Sequence, residues 1–456
     1  MPALSDVEKA QVLESSATSE ALRSSTESPN LPDTTITVEQ ELPPKGVKWF
    51  LAYIAVITSV LLFALDATIV ADIQPQIVQA FGNIDKLPWI GVAFSLGTIA
   101  ILPQGKANGM FDVKWLFIAS VIAFEVGSVL CGAAQNMSTV IVGRAISGIG
   151  GAGIYCGGLT YISVTTCERE RPLYLSGIAV VWGLGSVLGP LIGGAFAQSS
   201  ATWRWSFYIN PVIAGILAPA FLFCMPSIVL TEAPFVQKLR NTDWLAIVIF
   251  CGGSICYTMA ITFGGSVYPF HSASEIGLLV ATGVLLLAFV GVTVFHPGIS
   301  SSDKLYPSHF MRSLELNILQ LQIFLSAGAM MTTIYYAPLL FQFTRGDGAL
   351  EAGVRLLPLI CMIVFFSVAN GGIMPVHGYH MPWYVFGNAM TLIGSALMYT
   401  SDAHTSTSRL YGYTALIGMG VGSFITAGFA VVQAQVPAHE VNNAVGFMSI
   451  VLIFKV

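Results

Sequence analysis

Long apolar runs separated by short polar connections dominate this chain of 456 residues. A bilayer's hydrocarbon core takes about 20 mainly apolar residues of helix to cross. Measured that way, the pattern predicts spans near 49–74, 88–109, 115–135, 139–164, 173–197 and 207–230. Two more fit near 243–266 and 276–296, and four near 316–342, 353–374, 383–400 and 409–435. A last apolar stub, Ala444 to Phe454, brings the expectation to twelve spans and a fragment. The first stretch breaks the pattern. It is rich in Ser, Thr, Glu and Pro, as in Ser24-Ser-Thr-Glu-Ser-Pro29, and cannot bury enough apolar surface to order itself. Residues 1–47 are therefore expected to be a disordered cytoplasmic tail, not a secretory signal.

Basic residues orient the series, because Lys and Arg favour cytoplasmic loops. With the amino terminus inside, the inner flanks hold Lys45, Lys48, Lys106, Lys114, Arg169, Arg171, Lys238, Arg240, Lys304 and Arg312. The outer flanks hold Lys86, Arg204, Arg345, Arg355 and Arg409, half as many. Two longer connections, 231–242 and 297–315, interrupt the alternation. The first falls where a two-lobed transporter changes lobes. These connections set off residues 48–230 with six spans, 231–315 with two, and 316–456 with four and the stub.

Composition agrees with the pattern. The chain is 55% hydrophobic and 9% charged, where soluble domains carry about 25% charged residues. Its mean hydropathy is +0.75, so the expected class is an all-α polytopic membrane protein. The net charge of −5 lies largely in the polar tail, and no basic cluster points to a nucleic-acid partner. Seven cysteines form no CxxC pair and no metal-ligand set with histidine. No disulfide framework, metal or cofactor is expected, and no nucleophile–base arrangement suggests an enzyme.

Charged groups at membrane depth are costly, so each is a functional candidate. Four stand out: Asp66, Asp72, Glu125 and Arg144. Asp66 lies deep in the first span, where a carboxyl is expensive to keep ionised and suits a reversible proton site; helix packing or capping is the plainer role. Asp72 lies nearer the outer end. Glu125 is mid-span and needs a partner or a water-filled cavity. Arg144 must pair with a carboxylate or with carbonyl groups. Asp66 and Glu125 are both possible partners, and a static ion pair locking helices is the alternative to a working one.

Two glycine patterns complete the inventory. Gly148, Gly150 and Gly153 spell GxGxxG, but a dinucleotide site needs a strand, a turn and then a helix. Here one apolar run continues through the glycines, so packing explains them. In Gly183-Leu-Gly185-Ser-Val-Leu-Gly189-Pro190-Leu-Ile-Gly193-Gly194, Gly185 and Gly189 share one helix side and form a groove for another helix, with a bend expected at Pro190. The sequon Asn136-Met-Ser138 sits so close to the membrane that glycosylation there is disfavoured.

These residues, in this order, carry a pattern. The chain resembles the major facilitator superfamily, specifically its fungal-type drug:proton antiporters with fourteen spans. Leu65-Asp66-Ala-Thr-Ile-Val70 is similar to that family's first-span signature, and Arg144 to Gly153 to its fourth-span motif. Gly185 to Gly194 matches the fifth-span antiporter motif. Trp203-Arg204-Trp205-Ser-Phe207-Tyr-Ile-Asn210-Pro211 resembles the loop before the sixth span. Asp243-Trp244 and Ala352-Gly353-Val354-Arg355-Leu-Leu-Pro358 extend the likeness, which covers roughly residues 45 to 450.

The resemblance implies two lobes alternating around a central cavity and proton-driven export of drugs, toxins or secondary metabolites. The implied partners are a small amphipathic organic substrate, protons and the lipid bilayer, for a monomer in the plasma membrane. It links Asp66, Arg144 and Glu125 to proton coupling, and Gly185, Gly189, Pro190, Gly193 and Gly194 to the direction of exchange. Gly105, Asp112 and Lys114 correspond to the gating loop, although the usual mid-loop acid is replaced here. The chain also ends at Lys455-Val456, inside what should be span thirteen, so the second lobe is expected to lack two helices. An uptake or vacuolar carrier of the same fold, or a truncated non-transporting membrane protein, are the alternatives.

Overall fold

A computed structural model describes residues 45–449, except 201, 266, 296–303, 307–308, 348, 403, 426 and 438–439. The expected tail at 1–44 and residues 450–456, which include the end of the apolar stub, lie outside the described residues.

Helices follow one another almost without interruption. In chain order they are α1 (Val47–Phe81), α2 (Pro88–Thr98), α3 (Ile101–Met110), α4 (Val113–Gly132), α5 (Met137–Thr165), α6 (Arg171–Gln198) and α7 (Trp205–Pro219). There follow α8 (Phe235–Asn241), α9 (Trp244–Phe263), α10 (Ala273–Phe295), α11 (Leu314–Arg345) and α12 (Ala349–Val354). The last five are α13 (Leu357–His377), α14 (Met381–Tyr399), α15 (Thr407–Gly422), α16 (Ala427–Ala434) and α17 (Val441–Ser449). Side-chain caps set several starts. Asp112 accepts from the Lys114 amide at 2.9 Å, Asn136 from Thr139 at 2.9 Å and Asp243 from Ala246 at 3.0 Å. Gly82, Gly346 and Gly378 close α1, α11 and α13 in the left-handed conformation that glycine adopts without steric cost.

Among the described residues, eleven helices are long and apolar enough to cross a membrane, rather than the twelve expected here or the fourteen that the resemblance implies. The difference from twelve lies in α14. Its helix forms as expected, but Trp383, Tyr384, Asn388, Thr391, Ser395 and Tyr399 leave it too polar to count. The predicted second span is split, with a turn at Ile99–Ala100 between α2 and α3. The sixth ends early: α7 loosens into a π turn at Ala220–Cys224 and stops at Met225, just before Pro226.

Within a bilayer, helices associate by close packing of small residues rather than by escape from water. The α4–α5 and α2–α5 pairs show this. A Cβ on Gly127 would lie 2.7 Å from the Gly143 carbonyl oxygen, and one on Gly148 would lie 3.0 Å from the Gly97 Cα. The GxGxxG glycines thus sit inside one unbroken helix and serve packing, as expected. Hydroxyls at depth are satisfied locally. Ser59, Ser163, Thr165 and Ser423 each donate to the carbonyl four residues back, at 2.7–3.0 Å.

The first bundle, α1–α7, meets the second, α11–α17, mainly along α6 and α13. A Cβ on Gly183 would lie 3.0 Å from Ile360, and one on Gly371 would lie 3.0 Å from the Leu173 Cα. A second junction joins α3 to α17, where Gly105 and Gly446 approach and Lys106 donates to the Asn443 side chain at 3.4 Å. Helices α9 and α10 pair with each other through Gly253 against Leu285 and Phe250 against Phe289. Much of α10 is left exposed, a surface suited to lipid.

Candidate functional site

The deepest polar cluster lies in the first bundle. Asp66 on α1 is 0% exposed and Arg144 on α5 is 1% exposed. The Arg144 guanidinium donates to Asp66 Oδ2 at 2.5 Å and approaches the Asp66 carbonyl oxygen at 3.4 Å. Of the two acids that could have partnered Arg144, the structure selects Asp66. Phe94 of α2 stacks on the other side, with its ring centre 4.0 Å from the guanidinium carbon. Such a face-on cation–π contact replaces part of the hydration the cation has lost.

The second carboxylate oxygen of Asp66 faces α7. Asn210 Nδ2 lies 3.4 Å from Asp66 Oδ1 and 3.1 Å from Ser128 Oγ on α4, and both Asn210 and Ser128 are fully buried. Five helices, α1, α2, α4, α5 and α7, therefore contribute to one buried constellation. Glu125 stands one turn before Ser128 on α4. Both its carboxylate oxygens are buried without a hydrogen-bond partner, and its charge interacts with that of Asp66. Asp72 follows Asp66 on α1, but its side chain lies outside the described residues.

The Gly185–Gly194 stretch backs onto this cluster. The predicted groove is filled by α1 itself: a Cβ on Gly185 would lie 2.7 Å from Ala64 Cβ, and one on Gly189 would lie 2.9 Å from Thr68 Cβ. Thr68 Oγ1 donates to the Gly185 carbonyl at 3.0 Å, two residues beyond Asp66. Helix α6 continues unbroken through Pro190, buried Gly193 and half-buried Gly194. Pro190 packs beside Gly353 of the second bundle.

The gating-loop residues divide. Gly105 sits at the α3–α17 junction, with the neighbouring Lys106 reaching across it. Asp112 caps α4 and binds the Ser227 hydroxyl, while Lys114 Nζ donates to the Leu222 carbonyl at 2.7 Å. Both are occupied within the first bundle, holding the end of α7.

Beside the α6–α13 contact, a half-open groove of about 730 Å³ runs along the seam between the two bundles. It is lined by Leu184, Val187 and Leu188 of α6 and by Ile360, Val364 and Phe365 among the residues of α13. Every lining side chain is apolar, a volume and character that suit a drug-sized hydrophobic molecule. Among the described residues no group of His, Cys, Asp and Glu could hold a metal ion.

Comparison with known proteins decides the family. Residues 55–314, more than half of the chain, match the Major Facilitator Superfamily. The chain belongs to that superfamily. It is 52% identical over 409 residues to "Efflux pump DEP3" of Fusarium langsethiae, covering 89% of this chain and 74% of that protein. It is also 52% identical over 419 residues to the protein of the same name from Alternaria brassicicola, covering 92% and 74%. The fold matches the crystal structure of the human organic anion transporter MFSD10 with a TM-score of 0.60, at 12% identity, over 90% of this chain and 92% of that one. As a member of the superfamily the chain is a multi-pass helical membrane transporter.

Asn210, Ser128 and Phe94 are the site residues that sequence reasoning missed. Asn210 was within a recognised motif and inside the expected span 207–230, but it was not singled out. The structure places it in the second turn of α7, directly before Pro211. A buried amide in an apolar run was the signal that could have marked it.

Proposed function

We propose that this protein exports small amphipathic organic molecules in exchange for protons moving inward, as a monomer in the plasma membrane with its amino terminus in the cytoplasm. The carrying observation is the Asp66–Arg144 pair, sealed among five helices at membrane depth. Two fixed charges so placed are costly to desolvate, and removing the charge of one leaves the other uncompensated. Protonation of Asp66 releases Arg144, and Glu125, whose buried oxygens have no partner, is the carboxylate left to receive it. The guanidinium keeps its charge throughout and the proton alone enters and leaves.

Because Gly185 and Gly189 seat the acid-bearing segment of α1 on α6, a change at Asp66 is transmitted to the helix that borders the second bundle. That contact supports a role for the 185–194 motif in the direction of exchange. The apolar groove between α6 and α13 supports a hydrophobic substrate. The efflux-pump names of relatives sharing 52% identity support export of toxins or secondary metabolites.

The test is transport of ethidium, rhodamine 6G and cycloheximide into sealed inside-out vesicles with an acidic lumen. The account expects at least one to accumulate only while the pH gradient stands. Accumulation that ignores the gradient, or runs only with proton flow in the same direction, would refute exchange.

A further inference from the structure

The amide of Asn210 has a use that the Asp66–Arg144 pair alone does not explain. Its Nδ2 is shared between Asp66 Oδ1 and Ser128 Oγ, while its Oδ1 is buried with no partner at all. A buried acceptor left unpaired is costly, and its retention in a fully buried position fits a second state that uses it. A carboxylate can only accept hydrogen bonds, whereas a protonated carboxyl offers an O–H that needs an acceptor. A primary amide turned through a half rotation exchanges a donor for an acceptor in the same place, and a serine hydroxyl can serve as either.

We propose that Asn210 is a positioning residue that reads the protonation state of Asp66 by turning its amide, with Ser128 as the pivot. This rests on the proton-exchange reading above. With Asp66 ionised, Nδ2 donates to the carboxylate and to the Ser128 oxygen, as the structure shows. With Asp66 protonated, Oδ1 accepts from the carboxyl O–H and from the Ser128 O–H, so both hydrogen bonds reverse together. One proton is added to Asp66 and none is lost from Asn210 or Ser128. The titratable and charged groups facing Asp66 are Arg144 from α5 and Glu125 and Cys131 from α4. Asn210 is the polar group facing it from α7, and Thr68 with its bond to Gly185 secures the α6 side. The turn couples α7 and α4 to the event on α1, which an arginine–aspartate pair between α1 and α5 does not do alone.

The test is the pH profile of gradient-driven ethidium transport in sealed vesicles, with a transported member of the earlier panel replacing ethidium if needed. Asn210→Leu should shift the pH of half-maximal transport upward by on the order of one unit, and Ser128→Ala, which removes the pivot, should move it measurably from the wild-type value. The lost bond to the charged carboxylate is the stronger of the two alternatives. Ser128→Thr, which keeps the hydroxyl, should hold the wild-type profile. If Asn210→Leu fails to reach the membrane, the Ser128→Ala and Ser128→Thr pair decides. Wild-type profiles in these variants, beside an Asp66→Asn variant that has lost its pH dependence, overturn the role of Asn210 and leave proton exchange standing. An Asp66→Asn variant with the wild-type profile overturns both.

Discussion

The two bundles handle charge in opposite ways. In α1–α7 an aspartate and an arginine are buried against each other and enclosed by an aromatic ring, an amide and a hydroxyl. In α11–α17, the buried polar side chains among the described residues are uncharged: Ser326, Ser367, Asn370, Thr414, Ser423, Gln433 and Ser449. The principal charge cluster of that half sits at helix ends, where Arg355 engages Asp347, Glu351 and the Tyr411 hydroxyl. It braces α12 against α15 in a partly exposed place. The contrast supports the proposal that charge switching belongs to one half, with the other an uncharged, apolar partner along the α6–α13 seam.

Substitutions that remove one charge should therefore differ greatly between the bundles. Arg144→Ala strands a buried carboxylate, a loss of about 3–5 kcal/mol in comparable pairs. It should abolish coupled transport in the vesicle assay while protein continues to reach the membrane. Wild-type transport by that variant would break the comparison at its strongest point. Gly189→Val comes next. Its added atoms meet Thr68 and the Ile69 amide, and overpacking of this kind costs about 1–3 kcal/mol. Thermal unfolding of the purified protein should shift down and transport should fall several-fold, with Thr68→Ala restoring part of both. Gly194→Ala, where nothing lies within 4 Å of the new methyl, should leave both unchanged. Smallest is Arg355→Ala, whose partly exposed pair lies outside the buried cluster; it is expected to lower stability by about 1 kcal/mol without moving the pH profile of transport. A shifted profile there would place charge switching in both bundles.

Much of this site could be read from the chain because intramembrane charges are rare. Asp66, Glu125 and Arg144 marked themselves by sitting in apolar runs, and the GxGxxG glycines were separable from a nucleotide loop by their continuous helix. The choice of Asp66 over Glu125 as the partner of Arg144 was not legible. It depends on how α1, α4 and α5 rotate against one another through glycine contacts, which no single-helix pattern specifies. Asn210 was hidden for a related reason, since uncharged amides carry no strong cost signal. Hydropathy placed the helices well but not their breaks. The turn between α2 and α3 and the π turn after α7 lie inside apolar sequence. Asp112 and Lys114 matched a gating loop by order, yet their hydrogen bonds are local ones at the α4 and α7 ends.

The proposed exchange at Asp66 requires that the protein give up a proton when substrate binds. Proton release on adding ethidium, or the transported member of the panel, to purified protein in weakly buffered solution measures this directly. Wild-type protein should release protons over the pH range in which transport rises, and Asp66→Asn, with ligand binding confirmed by fluorescence, should release none. Equal release from both proteins would contradict the account.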